Sequence, residues 1–170
     1  MFDCHAHYGE KTGNALVCTA SPEEAFDEKG FPFRSIGLIP EGGSKDLEKL
    51  EERLQDHSFL GEIGIDKRYP EIEEQIRLFR SALALGKAYD TLVTIHSVGY
   101  TDTLLSVLKE MKPKHFIVHG FIGSLETARE IERLGGLISI SPRLEKAKSF
   151  DAIIRNTSFL METDRKTGKE

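Results

Sequence analysis

The sequence predicts an α/β fold, a compact TIM-type (β/α)8 barrel lacking the helices after strands 1 and 8. Three observations lead there: eight short runs of branched and aliphatic residues, amphipathic segments between most of them, and metal-ligating side chains gathered at the C-terminal ends of those runs. The runs fall at 2–7, 15–19, 34–39, 59–66, 92–96, 116–119, 137–141 and 159–164, with the composition of strands buried on both faces of a parallel sheet. A chain of 170 residues, 39% apolar and 30% charged, is long enough for one globular domain with a sizeable core. Eight strands in series favour closure into a barrel; the rival is an open doubly wound sheet.

The intervening segments carry helix signals. Ser21-Pro22-Glu23-Glu24 combines a capping hydroxyl, a first-turn proline and a glutamate in a capping-box pattern. Leu47, Leu50 and Leu54, and then Ile72, Ile76, Phe79 and Leu83, recur at three- and four-residue intervals, so each segment has one face to bury. Segments 101–111 and 124–134 read the same way. Only 8–14 separates the first two runs and six residues follow Asp164, so helices are expected to be absent at both places. A complete barrel takes about 250 residues, with ~200 near the lower limit, so this one is pared down.

Composition narrows the setting. No apolar run approaches the ~20 residues that cross a bilayer, and the start, Phe2-Asp3-Cys4-His5, lacks the basic and apolar pattern of a secretory leader. The expectation is a cytoplasmic protein with no membrane partner. Cys4 and Cys18 are too few for a disulfide framework and read as free core thiols. A net charge of −5 argues against whole-surface attraction to a polyanion, but two divalent ions would bring it to about −1.

Alternation along the first strand projects Asp3, His5 and His7 to one side and Phe2, Cys4 and Ala6 to the other. A lone His-x-His is a weak metal signal. Here it has company: Glu62, His96, His119 and Asp164 each lie at or near the C-terminal end of a later strand, where barrels of this type form their active sites. Four imidazoles and two carboxylates suit zinc, or manganese and iron where oxygen donors weigh more.

Five segments in order, Asp3-Cys4-His5-Ala6-His7, Gly61-Glu62-Ile63-Gly64-Ile65-Asp66, Thr94-Ile95-His96-Ser97, Val118-His119-Gly120-Phe121-Ile122-Gly123-Ser124 and Met161-Glu162-Thr163-Asp164, resemble the TatD-like metal-dependent deoxyribonucleases, members of the amidohydrolase-like superfamily. Gln75, Phe79 and Leu83 resemble that family's helix before the His96 strand, and the likeness runs nearly end to end. It implies two divalent ions, zinc first and magnesium, manganese or iron as alternatives. It implies that His5, His7, Glu62 and Asp164 hold one ion and Glu62, His96 and His119 the other, with Glu62 bridging. Glu62 and Asp164 are the catalytic candidates, Asp164 as the group that orients water or takes its proton. Asp3 and Asp66 are expected to support the ligands through hydrogen bonds.

The chain departs from the family at Val98, where an arginine is common, and after Asp164, where Arg165 and Lys166 replace a proline and tyrosine. Arg165 and Lys166, like Lys67 and Arg68, read either as phosphate contacts or as solvated surface charge. Tyr8 and Phe121 read as stacking platforms for a base or as core aromatics. His57 and His115 fall outside the constellation. The substrate expected is DNA or a small phosphoester; the rivals are amide, lactone or cyclic-imide hydrolysis and a non-catalytic metal-stabilised scaffold. The missing helices would leave Phe2, Cys4, Ala6, Phe159 and Met161 on one open flank, so a homodimer through strands 1 and 8 is expected.

Overall fold

The computed structural model describes residues 2–7, 14–24 and 31–164. Eight strands, β1 (Asp3–His7), β2 (Ala15–Cys18), β3 (Phe33–Leu38), β4 (Phe59–Asp66), β5 (Val93–Val98), β6 (Phe116–Val118), β7 (Leu137–Ile140) and β8 (Phe159–Met161), lie side by side in sequence order. Every neighbouring pair is parallel. The ring nearly closes between β8 and β1. There the Asp164 N–H donates to the His5 carbonyl at 3.2 Å. The Asp3 carboxylate accepts from the Thr163 N–H at 3.1 Å and from its hydroxyl at 2.6 Å.

Helices α1 (Leu47–Leu54), α2 (Ile72–Ala88), α3 (Thr101–Met111), α4 (Leu125–Arg133) and α5 (Phe150–Asn156) follow β3 to β7. Asp46 caps α1 by accepting from the Lys49 N–H at 2.9 Å, and Ser124 caps α4 by accepting from the Thr127 N–H at 3.1 Å. Leu50, Phe79, Leu83, Leu108 and Ile131 from the helices bury themselves against Ile36, Leu60, Ile63, Ile95 and Ile138 from the strands. This shell of core holds the barrel from outside. Among the described residues no helix follows β1, β2 or β8. At the expected capping box Glu24 instead reaches back to accept from the Ala20 N–H at 3.2 Å.

Two bulges set which side chains face inward. On β1, Asp3 pairs with Ala15 and Ala6 with Val17, so three steps oppose two. The extra residue breaks strict alternation: Cys4 lines the barrel interior with Leu16 and Leu160, and Ala6 is buried as well. The expected open flank therefore does not carry Cys4 or Ala6. The exposed large apolar residues at this end are Phe2, Phe33 and Met161, around a pit of about 330 Å³ at the N-terminal mouth. On β4, Leu60 pairs with Ile36 and Val93 while Ile63 pairs with Leu38 and Ile95, which places the extra residue at Gly61–Glu62.

Gly37 of β3 permits this second bulge. A Cβ there would lie 1.9 Å from the Thr19 carbonyl oxygen and 2.6 Å from the Glu62 nitrogen. Those two atoms already share a hydrogen bond of 3.1 Å, and no flexible side chain can yield. Gly37→Ala is expected to lower stability by about 1–3 kcal/mol or more, measured by urea unfolding, with a shifted Glu62 as its structural result.

Candidate metal centre

The β4 bulge brings Glu62 into the C-terminal mouth at 1% exposure, between two groups of candidate ligands. Its Oε1 lies 3.4 Å from His5 Nε2 and 3.1 Å from His7 Nε2. Its Oε2 lies 3.3 Å from His96 Nδ1 and 2.9 Å from His119 Nε2. Asp164, just beyond β8 in the left-handed region, sets Oδ1 3.6 Å from His7 Nε2. The His5 and His119 rings stack with centroids 3.8 Å apart, so His5 borders both groups. All six residues expected from the sequence are thus together. Ligand atoms of His5, His7 and Asp164, and of His5, Glu62 and His119, fall within 4.8 Å of one another.

The outward nitrogen of each of three rings has its own neighbour. His96 Nε2 lies 3.0 Å from Asp66 Oδ2, which leaves Nδ1 as the atom facing Glu62. His119 Nδ1 faces Glu162 Oε1 at 3.9 Å, and the Ser139 hydroxyl donates to the other Glu162 oxygen. His5 Nδ1 lies 3.3 Å from Cys18 Sγ. Asp66 thus stands where the sequence predicts, behind a ligand, and Asp3 accepts from the His5 N–H at 3.2 Å while joining β8. Glu162, Cys18 and Ser139 are new. Alternation back from Asp164 already puts Glu162 on the inward face, whereas the depth that Cys18 and Ser139 reach depends on strand stagger. Gln75 is a further anchor, accepting from the Asp66 N–H at 2.8 Å and donating to the Tyr69 and Pro70 carbonyls.

The charges of the site follow from this packing. Burial favours a neutral Glu62, yet the His5 and His119 imidazoles outweigh it and hold the carboxyl well below its usual range. Burial pushes His5 down, with His119 adding to it. For His119 burial is overruled by Glu62 and Glu162, and its pKa is pushed up to about 10. His7 is likewise raised against burial, by Asp164 and Glu62. Asp66 is drawn down to about 2 against burial, by Arg68 and His96. Burial raises both thiols, Cys4 to about 12.

A divalent cation fits this donor set. His5 Nε2 and Glu62 Oε1 are fully buried, 3.4 Å apart, and neither has a hydrogen-bond partner among the described residues. Two adjacent buried lone-pair donors are costly unless a positive charge satisfies both. Nitrogen and carboxylate oxygen in this ratio are the ligands of zinc and its neighbours.

Around the mouth, a cavity of about 420 Å³ is lined by His7, Glu62, His96, His119 and Asp164 together with Arg68, Val98 and Arg143. Arg68 forks onto Asp66, and Arg143 places NH1 3.0 Å from Asp164 Oδ2 with its side chain 70% exposed. Arg143 has no counterpart among the cations expected from the sequence. Lys67 lies outside the lining, its chain packed against Gly99. Phe121 does not offer a stacking face: it is 6% exposed in the apolar core and sits over Gly123. His57 is buried with Nδ1 2.7 Å from the Arg53 carbonyl, and His115 is exposed. Tyr8, Arg165 and Lys166 lie outside the described residues.

The TatD related DNase family model matches residues 2–166. The chain belongs to this family. It is 34% identical over 140 residues to the uncharacterized metal-dependent hydrolase YjjV of Escherichia coli (strain K12), covering 75% of this chain and 54% of that protein. It is 29% identical over 157 residues to the uncharacterized metal-dependent hydrolase YabD of Bacillus subtilis (strain 168), covering 83% and 61%. The chain therefore spans between half and two thirds of the length of these two relatives. With the putative deoxyribonuclease tatdn3 of Danio rerio it shares 26% identity over 212 residues, 96% of this chain and 79% of that one. The crystal structure of YjjV matches with a TM-score of 0.81 at 26% identity, over 96% of this chain and 78% of that chain. An uncharacterized amidohydrolase from Saccharomyces cerevisiae, 16% identical with a TM-score of 0.73, shares the fold over 89% of this chain and 64% of that one.

Three outcomes are expected of purified protein. Glu62→Ala should lower the metal-to-chain ratio, because one carboxylate serves both ligand groups; elemental analysis reads this. Metal uptake at pH 7 should also release protons, since His119, with its pKa pushed up to about 10, is held protonated and must become neutral to ligate. Calorimetry in buffers of different ionisation enthalpy measures that release. The raised His119 pKa stabilises the metal-free fold fully below the ordinary imidazole range and is lost as pH rises toward about 10, so metal-free protein should melt progressively lower over that interval.

Proposed function

We propose that this chain is a metal-dependent phosphodiesterase that acts on DNA or a smaller phosphoester with a metal-activated water. The observation that carries the reading is Glu62, with one oxygen toward His5 and His7 and the other toward His96 and His119, the posture of a carboxylate shared by two ions. His5, His7, Glu62 and Asp164 would hold one ion, and Glu62, His96 and His119 the other; zinc is the first choice, with magnesium, manganese or iron as alternatives. The names of the relatives, a putative deoxyribonuclease in Danio rerio and a metal-dependent hydrolase in Escherichia coli, support it.

When bound, paired ions supply Lewis acidity at the phosphoryl oxygens and lower the pKa of a water. The chain's own residues do the rest. Asp164 is held ionised, below its ordinary value against burial, by His7 and the neighbouring imidazoles, and Arg143 holds its Oδ2. Its carboxylate is placed to orient the attacking water and accept its proton. Arg68 and Arg143 line the mouth with partly exposed guanidinium groups, and such groups pair with phosphate oxygens. Asp66 and Glu162 steady the imidazoles from behind.

The setting proposed is cytosolic, supported by two buried cysteines that remain free thiols; no helix among the described residues is long and apolar enough to cross a membrane. A homodimer is proposed, supported by the exposed Phe2, Phe33 and Met161, which shift the expected contact from the flank toward the N-terminal mouth. Light scattering at micromolar concentration that finds only monomer would remove it.

Metal-loaded protein is expected to hydrolyse a chromogenic phosphodiester, with His96→Ala lowering kcat/KM by at least ~100-fold. Turnover of lactones with none of phosphodiesters, or an unaffected His96→Ala variant, would overturn the proposal.

A further inference from the structure

Beside the metal-facing cavity lies a second one, of about 230 Å³, which the proposed chemistry does not use. The loops after β3 and β4 build it: Leu38, Ile39 and Pro40 line it from the first, Tyr69 and Pro70 from the second, and Leu78 from α2. Leu38, Ile39 and Leu78 are buried, and Tyr69 is half-buried. The Gln75 amide fixes the second loop by donating to the Tyr69 carbonyl at 3.1 Å and to the Pro70 carbonyl at 2.8 Å, so the cavity is formed before a ligand arrives.

Chain neighbours join the two cavities. Glu41 and Arg68 line the metal side, while Pro40 and Tyr69, the residues next to them, line the second cavity. Arg68 NH2 stands 4.0 Å from Glu41 Oε2, with the two side chains 54% and 41% exposed, and the Arg68 guanidinium lies 5.9 Å from the centre of the Tyr69 ring. A ligand lying across this rim would place its phosphate near the guanidinium and an uncharged, planar group beside the tyrosine. The charges agree with that division. The charged lining of the second cavity is Lys45 against Glu71 and Glu74, and Lys45 already holds Glu71 at 2.7 Å, so the cavity has no surplus positive charge for an anion of its own. We propose that this cavity is the subsite for the base of a nucleotide unit whose phosphate lies at Arg68 on the metal side. The inference rests on the phosphodiester reading given above.

Size and chemistry both suit a base. The volume falls below the ~300–1,000 Å³ of sites that enclose a whole drug-sized ligand, and it fits a single ring system rather than a complete nucleotide. Apolar walls and one aromatic side chain favour stacking, which is open to any base because each has a π face. Glu71 and Glu74 add carboxylates, which accept from an exocyclic amino group such as that of cytosine. The stacking role expected of Phe121 thus passes to Tyr69.

The test is binding, which needs no turnover. Deoxycytidine 5′-monophosphate and deoxyribose 5-phosphate, which lacks the base, are each titrated into zinc-loaded protein by calorimetry. The nucleotide should bind roughly 10-fold more tightly in wild type and in Tyr69→Phe, which keeps the ring. Tyr69→Ala removes the ring and leaves the backbone that Gln75 holds, and Ser44→Phe fills the cavity from a lining position. Both should bring the nucleotide down to the affinity of the sugar phosphate, whose own binding reports that the variant is folded. In wild type, nuclear Overhauser contacts should run from the cytosine ring protons to the Leu38 and Leu78 methyl groups. Equal affinities in wild type, including none for either ligand, ring contacts elsewhere, or a preference that survives both variants would overturn the subsite. Deoxycytidine binding as tightly as its phosphate would overturn it too, because the cavity would then be an independent small-molecule site. Phosphodiester turnover without the preference removes the subsite alone. The preference without hydrolysis of any phosphodiester removes the phosphodiesterase reading and leaves the base subsite standing.

Discussion

Everything at the C-terminal mouth depends on holding one ionised carboxylate, Glu62, at 1% exposure among four imidazoles. An unpaired carboxylate at that depth would be neutralised or expelled. Here His119, its pKa raised to about 10, supplies compensating charge in the metal-free chain. A cation can take over that duty only by displacing protons, so metal binding and protonation compete for the same lone pairs. The backbone makes the arrangement possible: Gly37 lets β3 lie against the Glu62 nitrogen, and at Gly64, with φ +152, a Cβ would fall 1.9 Å from the His96 carbonyl oxygen. Gly64 thus lets the strands that carry Glu62 and His96 lie closer than a side chain would allow, and Gly37 lets the Glu62 N–H reach the Thr19 carbonyl.

The groups behind the ligands divide the site. His96 presents Nδ1 inward because Asp66 occupies Nε2, whereas His5, His7 and His119 present Nε2. Asp66 is itself held by Arg68 from the mouth and by Gln75 through its backbone, so a surface cation and a helix residue both bear on the angle of one imidazole. Arg143 plays a comparable part for Asp164. The two arginines at the mouth therefore bind one carboxylate behind a candidate ligand and one that is itself a candidate ligand, so an anion reaching them would bear on the site directly.

Much of this was legible in the sequence, for reasons that can be named. Strands and helices announced themselves through periodicity: α3 spans the residues 101–111 predicted from pattern alone, and the leucines of α1 fall on its buried face. The six candidate ligands were visible because barrel geometry collects strand ends, so residue type and position in each strand sufficed. What failed was strict alternation. The bulge on β1 sends Cys4 inward next to His5, and nothing in Asp3-Cys4-His5 marks an extra residue, since bulges are set by pairing with a neighbouring strand. Cys18 escaped notice for a related reason: its contact with His5 depends on the stagger between β1 and β2. Phe121 followed its hydrophobicity into the core, while Arg143, in a short 3₁₀ turn after β7, had no periodic context to single it out.

The seam between β8 and β1 ties fold to site as well. Here no ladder pairs the two strands; closure rests on the Asp164 N–H to the His5 carbonyl and on Asp3 gripping Thr163. Both contacts involve a ligand or its immediate neighbour, so closing the ring and placing Asp164 beside His7 are a single event. Opening the seam would remove Asp164 from the cluster and part the Asp3 carboxylate from Thr163. A cation shared by His5, His7 and Asp164 would act in the opposite sense, as a clasp across the one place where the sheet is not hydrogen-bonded strand to strand. Metal affinity and barrel closure would then be two measures of the same free energy.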